Sequence, residues 1–487
     1  LYRFSAIALL VLPLVFTSCS DYLDRDDDDN ITEADVFARY EKVNGLVSDV
    51  YAAAKKADRP LVFFEHFSNS AITDECEGTN VEGNITNNFN NGAWNPNSLP
   101  GSVGQYWEAL YEGIRKANLI IENVQKYNTP DNPQQDGDLR NRIGEMYFMR
   151  GYFHMLLLRM YGEAPYIDRV INAGDNMDFK KESVHSMVEK IVTDAQTAYG
   201  MVPNKYVKTS ENFGRVDKGA CLGLISFVRW VAATPLWNGA SQYGYNLRRV
   251  FENEYAYDAT RWRKAKEAAK AVLDFEVGGT KRYSLYTKHD ANDFKDPADG
   301  NLNDSRVYAR LWDMFYDMDA FANEYVFFMT KSKDQAWQGD IYPPSREGSS
   351  RQQPVQEQVD EYEYIVGDYG YPVYSAEARK GGYDDTNPYV KGTRDPRFYR
   401  DVIYHGAPYR NNKNESKTIN TASGSDKIGA TNATTTGYYL RKFQQESWNK
   451  SGNFSINAPA IWRLPEFIYI YAEACNELGE DIDEAYK

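Results

Sequence analysis

The sequence predicts a mainly α protein, in which a scaffold of tetratricopeptide-like helix pairs carries long, irregular, aromatic-rich loops. Several stretches repeat apolar residues at the i, i+3, i+4, i+7 spacing of one helical face. Between them lie long stretches that lack this period and are rich in Gly, Asn, Asp, Tyr and Trp. Aromatic residues make up 14% of the chain, which argues against disordered loops because disordered segments contain few large apolar groups.

Seven helices are expected. The first can be capped by Thr32, with Asp35 three residues later in a variant of the capping box. The third is followed by Gly162 and then Pro165, an order typical of a helix end. The predicted helices are Thr32–Ala54, Gln105–Gln125, Leu139–Tyr161, Val184–Tyr199, Val216–Ala233, Trp262–Phe275 and a last one from Pro465 through Cys475.

These helices form predicted pairs, the second with the third and the fourth with the fifth. Stacked helix pairs bury one continuous core, as tetratricopeptide arrays do. The pairs are longer than the roughly 34 residues of a strict tetratricopeptide and lack its signature residues. The intervening stretches, Asp58–Gly104, Val277–Glu361 and Val366–Ala460, are long enough to indicate functional loops.

The N-terminus has the layout of a bacterial lipoprotein signal. Arg3 supplies a positive charge, Ala6–Phe16 is an apolar run, and small residues precede Cys19. The run is far shorter than the roughly 20 residues that span a bilayer. We therefore expect residues 1–18 to be a signal peptide and Cys19 to be lipidated; a plain signal peptide with an incidental Cys is the alternative. Residues 19–31, which include Asp26–Asp29, form a predicted acidic tether.

The net charge and the cysteine spacing disfavour polyanionic partners and a disulfide-stabilised fold. The net charge of −15 disfavours binding to nucleic acid or anionic lipid. The remaining cysteines, Cys76, Cys221 and Cys475, form no CxxC pair and predict no disulfide framework. Cys221 and Cys475 lie in helical patterns, where buried free thiols are expected. His154 lies in an apolar helical stretch and is expected to be a hydrogen-bonded core residue.

No sequence motif of a common enzyme class is present. The chain lacks HExxH, a Walker loop, GxGxxG and GxSxG, and nothing marks two carboxylates as a catalytic pair. The segment Asp290–Asp304 carries five aspartates that could ligate calcium, although it lacks the EF-hand spacing. A solvated loop is the favoured interpretation of that segment, so we expect no cofactor, with calcium as the alternative.

Seven stretches, in order along nearly the whole chain, resemble the SusD/RagB family of glycan-binding outer-membrane lipoproteins of Bacteroidetes. They are CSDYLD from Cys19, YWEALYEGIRKANLIIENV from Tyr106, GEMYFMRGYFHMLLLRMYGEAPYI from Gly144, PVQEQVDEYE from Pro354, DPRFYRDVIYHG from Asp395, GYYLRKF from Gly437 and WRLPEFIYIYAEACNELGE from Trp462.

This resemblance implies four tetratricopeptide-like helix pairs on one side, with irregular loops and a few short strands on the other. It implies an N-terminal SusD-like helical region over residues 32–276 and a C-terminal RagB/SusD region over residues 277–487. Because the chain starts at Leu1 and stops at Lys487 within an expected helix, we expect a fragment whose C-terminal region is incomplete. The implied location is the outer membrane, lipid-anchored and facing the cell exterior. The implied partner is a SusC-like TonB-dependent β-barrel transporter.

Candidate glycan-binding residues follow from the loops and the resemblance. Sugar sites need flat apolar ring faces with polar groups nearby. Trp94 in NNGAWNPN, and Trp337 with Tyr342 in QAWQGDIYPP, lie where the family places binding aromatics, and Asp74 can supply a polar contact. For Trp94 and Trp337 the alternative is a core residue that anchors a loop. Trp312, whose pattern favours neither use, is the fifth candidate.

The other assignments concern the core and the competing functions. Trp107, Trp230 and Trp262 lie on helical stripes and are predicted core residues.

The leading hypothesis is a surface lipoprotein that binds oligosaccharide or polysaccharide and passes it to the transporter without catalysing any reaction. The alternatives are a surface-anchored helical glycoside hydrolase, a peptide- or glycoprotein-binding relative, and a purely structural surface protein or adhesin.

Overall fold

The computed structural model describes residues 32–57, 67–78, 85–95, 101–127, 133–206, 211–240, 250–288, 311, 314–315, 317–329, 339–410, 416–444 and 460–487. The predicted signal peptide, the acidic tether with Cys19, the segment 290–304, Trp312 and Trp337 lie outside these residues.

Fourteen α-helices occur in the described part of the chain. In order they are α1 Glu33–Phe37, α2 Tyr40–Ala57, α3 Ile85–Asn90, α4 Gly101–Tyr127, α5 Pro133–Tyr161, α6 Val184–Met201, α7 Lys218–Ala233, α8 Ala259–Leu273, α9 Met318–Asn323, α10 Gln356–Asp360, α11 Ala376–Lys380, α12 Pro396–Asp401, α13 Leu464–Leu478 and α14 Ile482–Ala485.

The first predicted helix begins as expected but is interrupted. The Thr32 hydroxyl accepts a hydrogen bond from the Asp35 N–H at 3.2 Å, and the Asp35 carboxylate accepts one from the Thr32 N–H at 3.0 Å, completing a capping box. The single helix predicted over Thr32–Ala54 is wrong. The chain turns at Ala38 and Arg39, where the Arg39 N–H bonds three residues back to the Val36 carbonyl at 3.4 Å, so α1 and α2 are separate.

The long helices pack in series: α2 on α4, then α5, α6, α7, α8 and finally α13. The predicted pairs are confirmed as the α4–α5 and α6–α7 contacts. Since α5 also packs on α6 and α7 on α8, the pairs merge into one continuous stack. At Gly113 in α4 an added Cβ would lie 2.5 Å from the Phe153 ring of α5, so only glycine permits this close approach.

The cores of the stack and of the loop region differ in composition. Among the helices the buried side chains are mostly aliphatic, and α5 is buried almost all round from Ile143 to Leu158. Trp262 is buried between α7, α8 and α13, as predicted, whereas Trp107 and Trp230 are half-buried against the core. In the C-terminal half a second core is largely aromatic, with Phe398, Tyr409 and Tyr439 among its members.

His154 and the cysteines confirm the expected structural roles. Nε2 of His154 accepts the Ile167 N–H at 3.0 Å, which leaves the proton on Nδ1 to donate to the Arg150 carbonyl at 2.8 Å. Burial of this ring lowers the pKa of His154 to about 3, so the imidazole is neutral. Cys76, Cys221 and Cys475 are buried free thiols.

The strands are short and antiparallel. They are β1 Ile72–Thr73, β2 Cys76–Gly78, β3 Glu276–Val277, β4 Thr280–Lys281, β5 Tyr325–Phe328, β6 Gln352–Pro354, β7 Tyr364–Val366, β8 Tyr369–Tyr371, β9 Val402–Ile403, β10 Pro408–Arg410, β11 Ser416–Thr418, β12 Tyr439–Leu440 and β13 Ala460–Arg463.

Two sheets join distant parts of the chain and thereby position the candidate site. One has the order β1–β2–β6, with Cys76 opposite Pro354. The other pairs β5 with β13, with Trp462 opposite Phe327, and leads directly into α13. Loop segments from both halves of the sequence are thus held against the end of the helical stack.

Candidate functional site

The described residues enclose a cleft at the N-terminal end of α13. One part of it, about 610 Å³, lies between the β1–β2–β6 sheet, α12 and α13. A second part, about 620 Å³, continues along α13 towards α7. The two parts share six lining residues and therefore form one cavity, which we call the α13 cleft. Those six are Phe315, Lys442, Phe443, Arg463, Pro465 and Tyr469.

Four of the stretches that carry the family resemblance converge on this cleft. The Pro354 stretch contributes Gln358 and Tyr362, and the Asp395 stretch contributes Arg397, Arg400 and Asp401. The stretches from Gly437 and Trp462 contribute the residues shared by both parts, except Phe315. These stretches are far apart in sequence, so pattern analysis along the chain did not reveal that they form one wall.

Aromatic rings line the cleft at different depths. Tyr469, on the first turns of α13, is 70% exposed and offers a free ring face. Phe443 is half-buried and meets the buried ring of Phe315 edge-on, with centroids 4.4 Å apart. Trp230 lies at the far end, where its indole N–H donates to Glu473 at 2.7 Å. Such rings provide the apolar surface on which a sugar ring can stack.

Three arginines of the cleft are neutralised by carboxylates. Arg397 donates from Nε to Asp395 at 3.0 Å, and the Nε of Arg463 donates to Glu324 at 2.9 Å. The third pair joins Arg400 to Asp401.

The carboxylate of Asp401 also accepts the hydroxyl of Tyr362 at 3.0 Å. The Arg400 guanidinium lies 4.8 Å from the Phe315 ring centroid. These contacts fix Arg400 and Asp401 in the wall of the cleft.

Glu466 has the most perturbed carboxyl group of the cleft. Burial raises its pKa to about 7, and the nearby positive charges of Arg159 and Arg463 oppose this rise only in part. This carboxyl therefore changes its charge near neutral pH. Glu473, two helical turns further along α13, is held by the Trp230 N–H and so has a different environment.

The structure places two of the predicted site residues, Trp94 and Asp74, beside the cleft. Trp94, four residues after the end of α3, is 39% exposed and packs on Phe89, with ring centroids 5.2 Å apart. Asp74 is exposed in the β1–β2 turn, next to Glu75, which lines the cleft. α3 packs on β1, so Trp94 and Asp74 belong to one lobe beside the cleft, although neither lines it. Trp312 and Trp337 fall outside the described residues.

Tyr342 requires a correction. Its side chain is fully buried, its ring faces the Arg346 guanidinium at 4.5 Å, and Tyr409 packs edge-on at 6.4 Å. A ring with no accessible face cannot stack on a sugar, so Tyr342 is a core residue in this structure. The sequence placed it in an aromatic loop but gave no sign that the loop folds inward.

The described residues contain neither a metal cluster nor a membrane span. No group of three or more His, Cys, Asp or Glu among them is arranged to hold a metal ion. None of the helices in the described ranges combines the length and apolarity needed to cross a bilayer.

Comparisons with known proteins agree on one family. A family model described as SusD-like, "starch-binding associating with outer membrane", matches residues 21–228, and the SusD family model matches residues 314–487. SusD-like protein P2 of Formosa agariphila is 24% identical over 202 residues, which are 41% of this chain and 38% of that relative. The match thus spans well under half of the relative's length.

Solved structures show the same fold. A SusD-like protein from Bacteroides fragilis superposes with a TM-score of 0.66 at 18% identity, covering 95% of this chain and 78% of that one. A SusD-like carbohydrate binding protein from the same species gives 0.67 at 14% identity, covering 91% and 75%. The mainly α architecture with few short strands is thereby confirmed. With both halves matched by models of the family, this chain belongs to the SusD/RagB family.

Proposed function

We propose that this chain is a lipid-anchored protein of the outer membrane that binds oligosaccharide or polysaccharide and delivers it uncleaved to a SusC-like TonB-dependent transporter. The observation that carries the proposal is the α13 cleft. It sets exposed and half-buried rings, Tyr469 and Phe443, beside fixed charged groups. The family description as starch-binding and the carbohydrate-binding relative from Bacteroides fragilis support the same ligand class.

The cleft is a better candidate than either predicted loop tryptophan alone because it brings several rings and polar groups to one cavity. Each part of the cleft, about 610 and 620 Å³, lies within the range of roughly 300–1,000 Å³ usual for ligand sites. Trp94 and Asp74, in the adjoining lobe, can extend the site for a longer glycan. We retain them and Trp337 as proposed contacts.

Calorimetric titration of the purified chain with maltooligosaccharides and with plant and algal oligosaccharides tests this proposal. We expect Tyr469→Ala to weaken binding at least tenfold, about 1.4 kcal/mol, because truncating an aromatic anchor removes a large share of binding energy. Tyr369→Ala is the matched control. Tyr369 is also 70% exposed but lies on the β7–β8 hairpin, outside the lining of the cleft. Equal losses in both variants would show that the cleft is not the site.

The lipid anchor at Cys19 and the TonB-dependent transporter partner are proposed from the amino-acid sequence. The charged start, apolar run and Cys19 support lipidation. We expect Cys19→Ala, expressed in the native host, to lose incorporated palmitate and leave the membrane fraction. Co-purification of a TonB-dependent β-barrel with the wild-type chain supports delivery; retention of an acylated, membrane-bound variant contradicts the anchor.

One observation favours the hydrolase as a second candidate. A carboxyl with a pKa near 7, as in Glu466, suits a general acid. Glycoside hydrolysis also needs a second carboxylate across the scissile bond, whereas Asp401 and Glu473 of the cleft are engaged by protein donors. Chain-length analysis of a glycan after incubation decides between them: shortening that Glu466→Gln abolishes favours the enzyme.

A further inference from the structure

Lys442 differs from the other cations of the α13 cleft because its charge has no carboxylate partner. The three cleft arginines are each paired with an Asp or Glu. In the described part of the chain, no carboxylate oxygen lies within ion-pair distance, 4 Å, of the Lys442 Nζ. The contact that the ammonium does make is with a ring, 5.3 Å from the Phe443 centroid. The side chain lines both parts of the cleft.

The surroundings of Lys442 hold as many guanidinium groups as carboxylates. The side chain is half-buried, and burial lowers the pKa of its ammonium. Asp401 and Glu75 favour the charged form, whereas Arg400 and Arg463 disfavour it. A cation removed from water without a counter-charge costs free energy, and an anion bound in the cleft would offset that cost.

We propose that the α13 cleft selects an acidic glycan, and that Lys442 pairs with a carboxylate or sulfate group on the sugar. This inference rests on the proposed glycan-binding function and specifies its ligand class. Phe443 and Tyr469, which flank Lys442 in both parts of the cleft, supply ring faces for the same sugar unit. Ring stacking then gives affinity common to many glycans, and the ion pair gives preference for the charged one.

The net charge of −15 opposes any polyanion at long range. Attraction must therefore come from the short-range contact with Lys442 rather than from the whole surface. Screening acts mainly on long-range repulsion between exposed charges, since the Debye length is about 8 Å at physiological ionic strength. A half-buried pair is screened less, so the preference for the acidic glycan should persist at physiological salt.

Titration with two pairs of probes tests the inference. The first pair is oligogalacturonate and its methyl-esterified form, and the second is κ-carrageenan oligosaccharide and its desulfated form. We expect the wild-type chain to bind the acidic member of at least one pair tenfold or more tightly than its neutral counterpart. Lys442→Gln should abolish that preference by lowering the affinity for the acidic member to that for its neutral counterpart. The responding pair distinguishes carboxylate from sulfate.

Two control variants separate the loss of the Lys442 charge from the loss of another lysine charge and from the loss of side-chain packing. Lys427→Gln removes an exposed lysine of the same half that does not line the cleft, and it should keep the preference. Lys442→Met keeps the apolar stem that packs in the cleft and should behave like Lys442→Gln if the charge is what matters. Melting temperatures at or above the wild-type value in both Lys442 variants confirm that they are folded.

The failures of this inference and of the proposed function are distinguishable. Equal binding of acidic and neutral probes, unchanged by Lys442→Gln, would overturn the acidic-glycan inference while leaving glycan binding intact. Binding of no glycan from either these pairs or the broader panel would overturn the proposed function and this inference with it. An acidic preference that survives in both Lys442 variants would place the selective contact elsewhere and refute the role of Lys442.

Discussion

The buried ion pair between Arg150 of α5 and Asp194 of α6 links the helices at the centre of the stack. The Nε of Arg150 donates to Asp194 at 2.8 Å, and the Tyr166 hydroxyl donates to the same carboxylate at 2.7 Å. Nη2 of Arg150 also donates to Asp194, at 2.5 Å, and Nη1 donates to the Asn118 side chain of α4 at 2.9 Å and to the Asp168 carbonyl at 2.8 Å. Arg150 and Asp194 are 6% and 4% exposed. One guanidinium therefore holds three helices together.

Removing one partner leaves the other charge buried, so Asp194→Ala should cost about 3–5 kcal/mol of unfolding free energy. The double variant Arg150→Met/Asp194→Leu removes both charges and replaces them with apolar volume. The Tyr166 hydroxyl loses its acceptor in both variants. In the double variant the buried Asn118 side-chain oxygen and the part-buried Asp168 carbonyl also lose their donor, which adds about 1–3 kcal/mol in place of the isolated charge. Asp178→Ala breaks an ion pair with Lys180 whose side chains are 68% and 81% exposed, and it should change stability by under about 1 kcal/mol.

Urea denaturation of the full chain, followed by circular dichroism, measures all three variants beside the wild type. The order that we expect, from least to most stable, is Asp194→Ala, the double variant, and then Asp178→Ala close to the wild type. A double variant as unstable as Asp194→Ala, or less stable, would refute the argument that the isolated charge causes the loss. The cavity or the lost hydrogen bonds would then be the cause.

Further predictions concern the loops, the core and pH. Trp94→Ala and Trp337→Ala should each weaken glycan binding by about thirtyfold with little change in melting temperature. Trp262→Ala should instead lower the stability, because its ring is buried. Calorimetry and thermal melts on the same samples separate these effects. Leu157→Ala, at a fully buried site, should cost about 2–5 kcal/mol in urea denaturation, and an unchanged midpoint would contradict its burial. Burial raises the folded-state pKa of Glu466 from 4.5 to about 7, so the wild type loses stability as pH rises between these values. Glu466→Gln should match the stability of the wild type near pH 4.5 and exceed it by up to about 3 kcal/mol above pH 7. A difference in melting temperature that stays constant across that pH range would show that the pKa of Glu466 is not raised.

The helical half of the fold was accessible to sequence analysis because its signals are local. Apolar spacing located α4, α6 and α7 to within a few residues, and Thr32 and Gly162 marked helix ends that the structure contains. The interruption between α1 and α2 was missed because neither Gly nor Pro occurs there. α1 and α2 both contact α4, and such tertiary contacts leave no pattern in the local sequence.

The candidate site was less accessible because it is assembled from distant segments. The lining of the α13 cleft runs from Ser68 to Glu473, so its members meet only through the β1–β2–β6 and β5–β13 sheets. Aromatic content indicated rings in the loops but did not tell an exposed ring such as Tyr469 from a buried one such as Tyr342. Both occur beside apolar neighbours, and only the tertiary fold decides which face is covered.

A crystal structure of the chain with a bound oligosaccharide would show whether the α13 cleft is the glycan site. We expect an intact glycan in the cleft, with a sugar ring against Tyr469 and, for an acidic sugar, its anionic group within 4 Å of the Lys442 Nζ. A glycan bound only at another surface, with the cleft empty, would contradict the proposed site. A glycan found cleaved within the cleft would replace binding and delivery with hydrolysis.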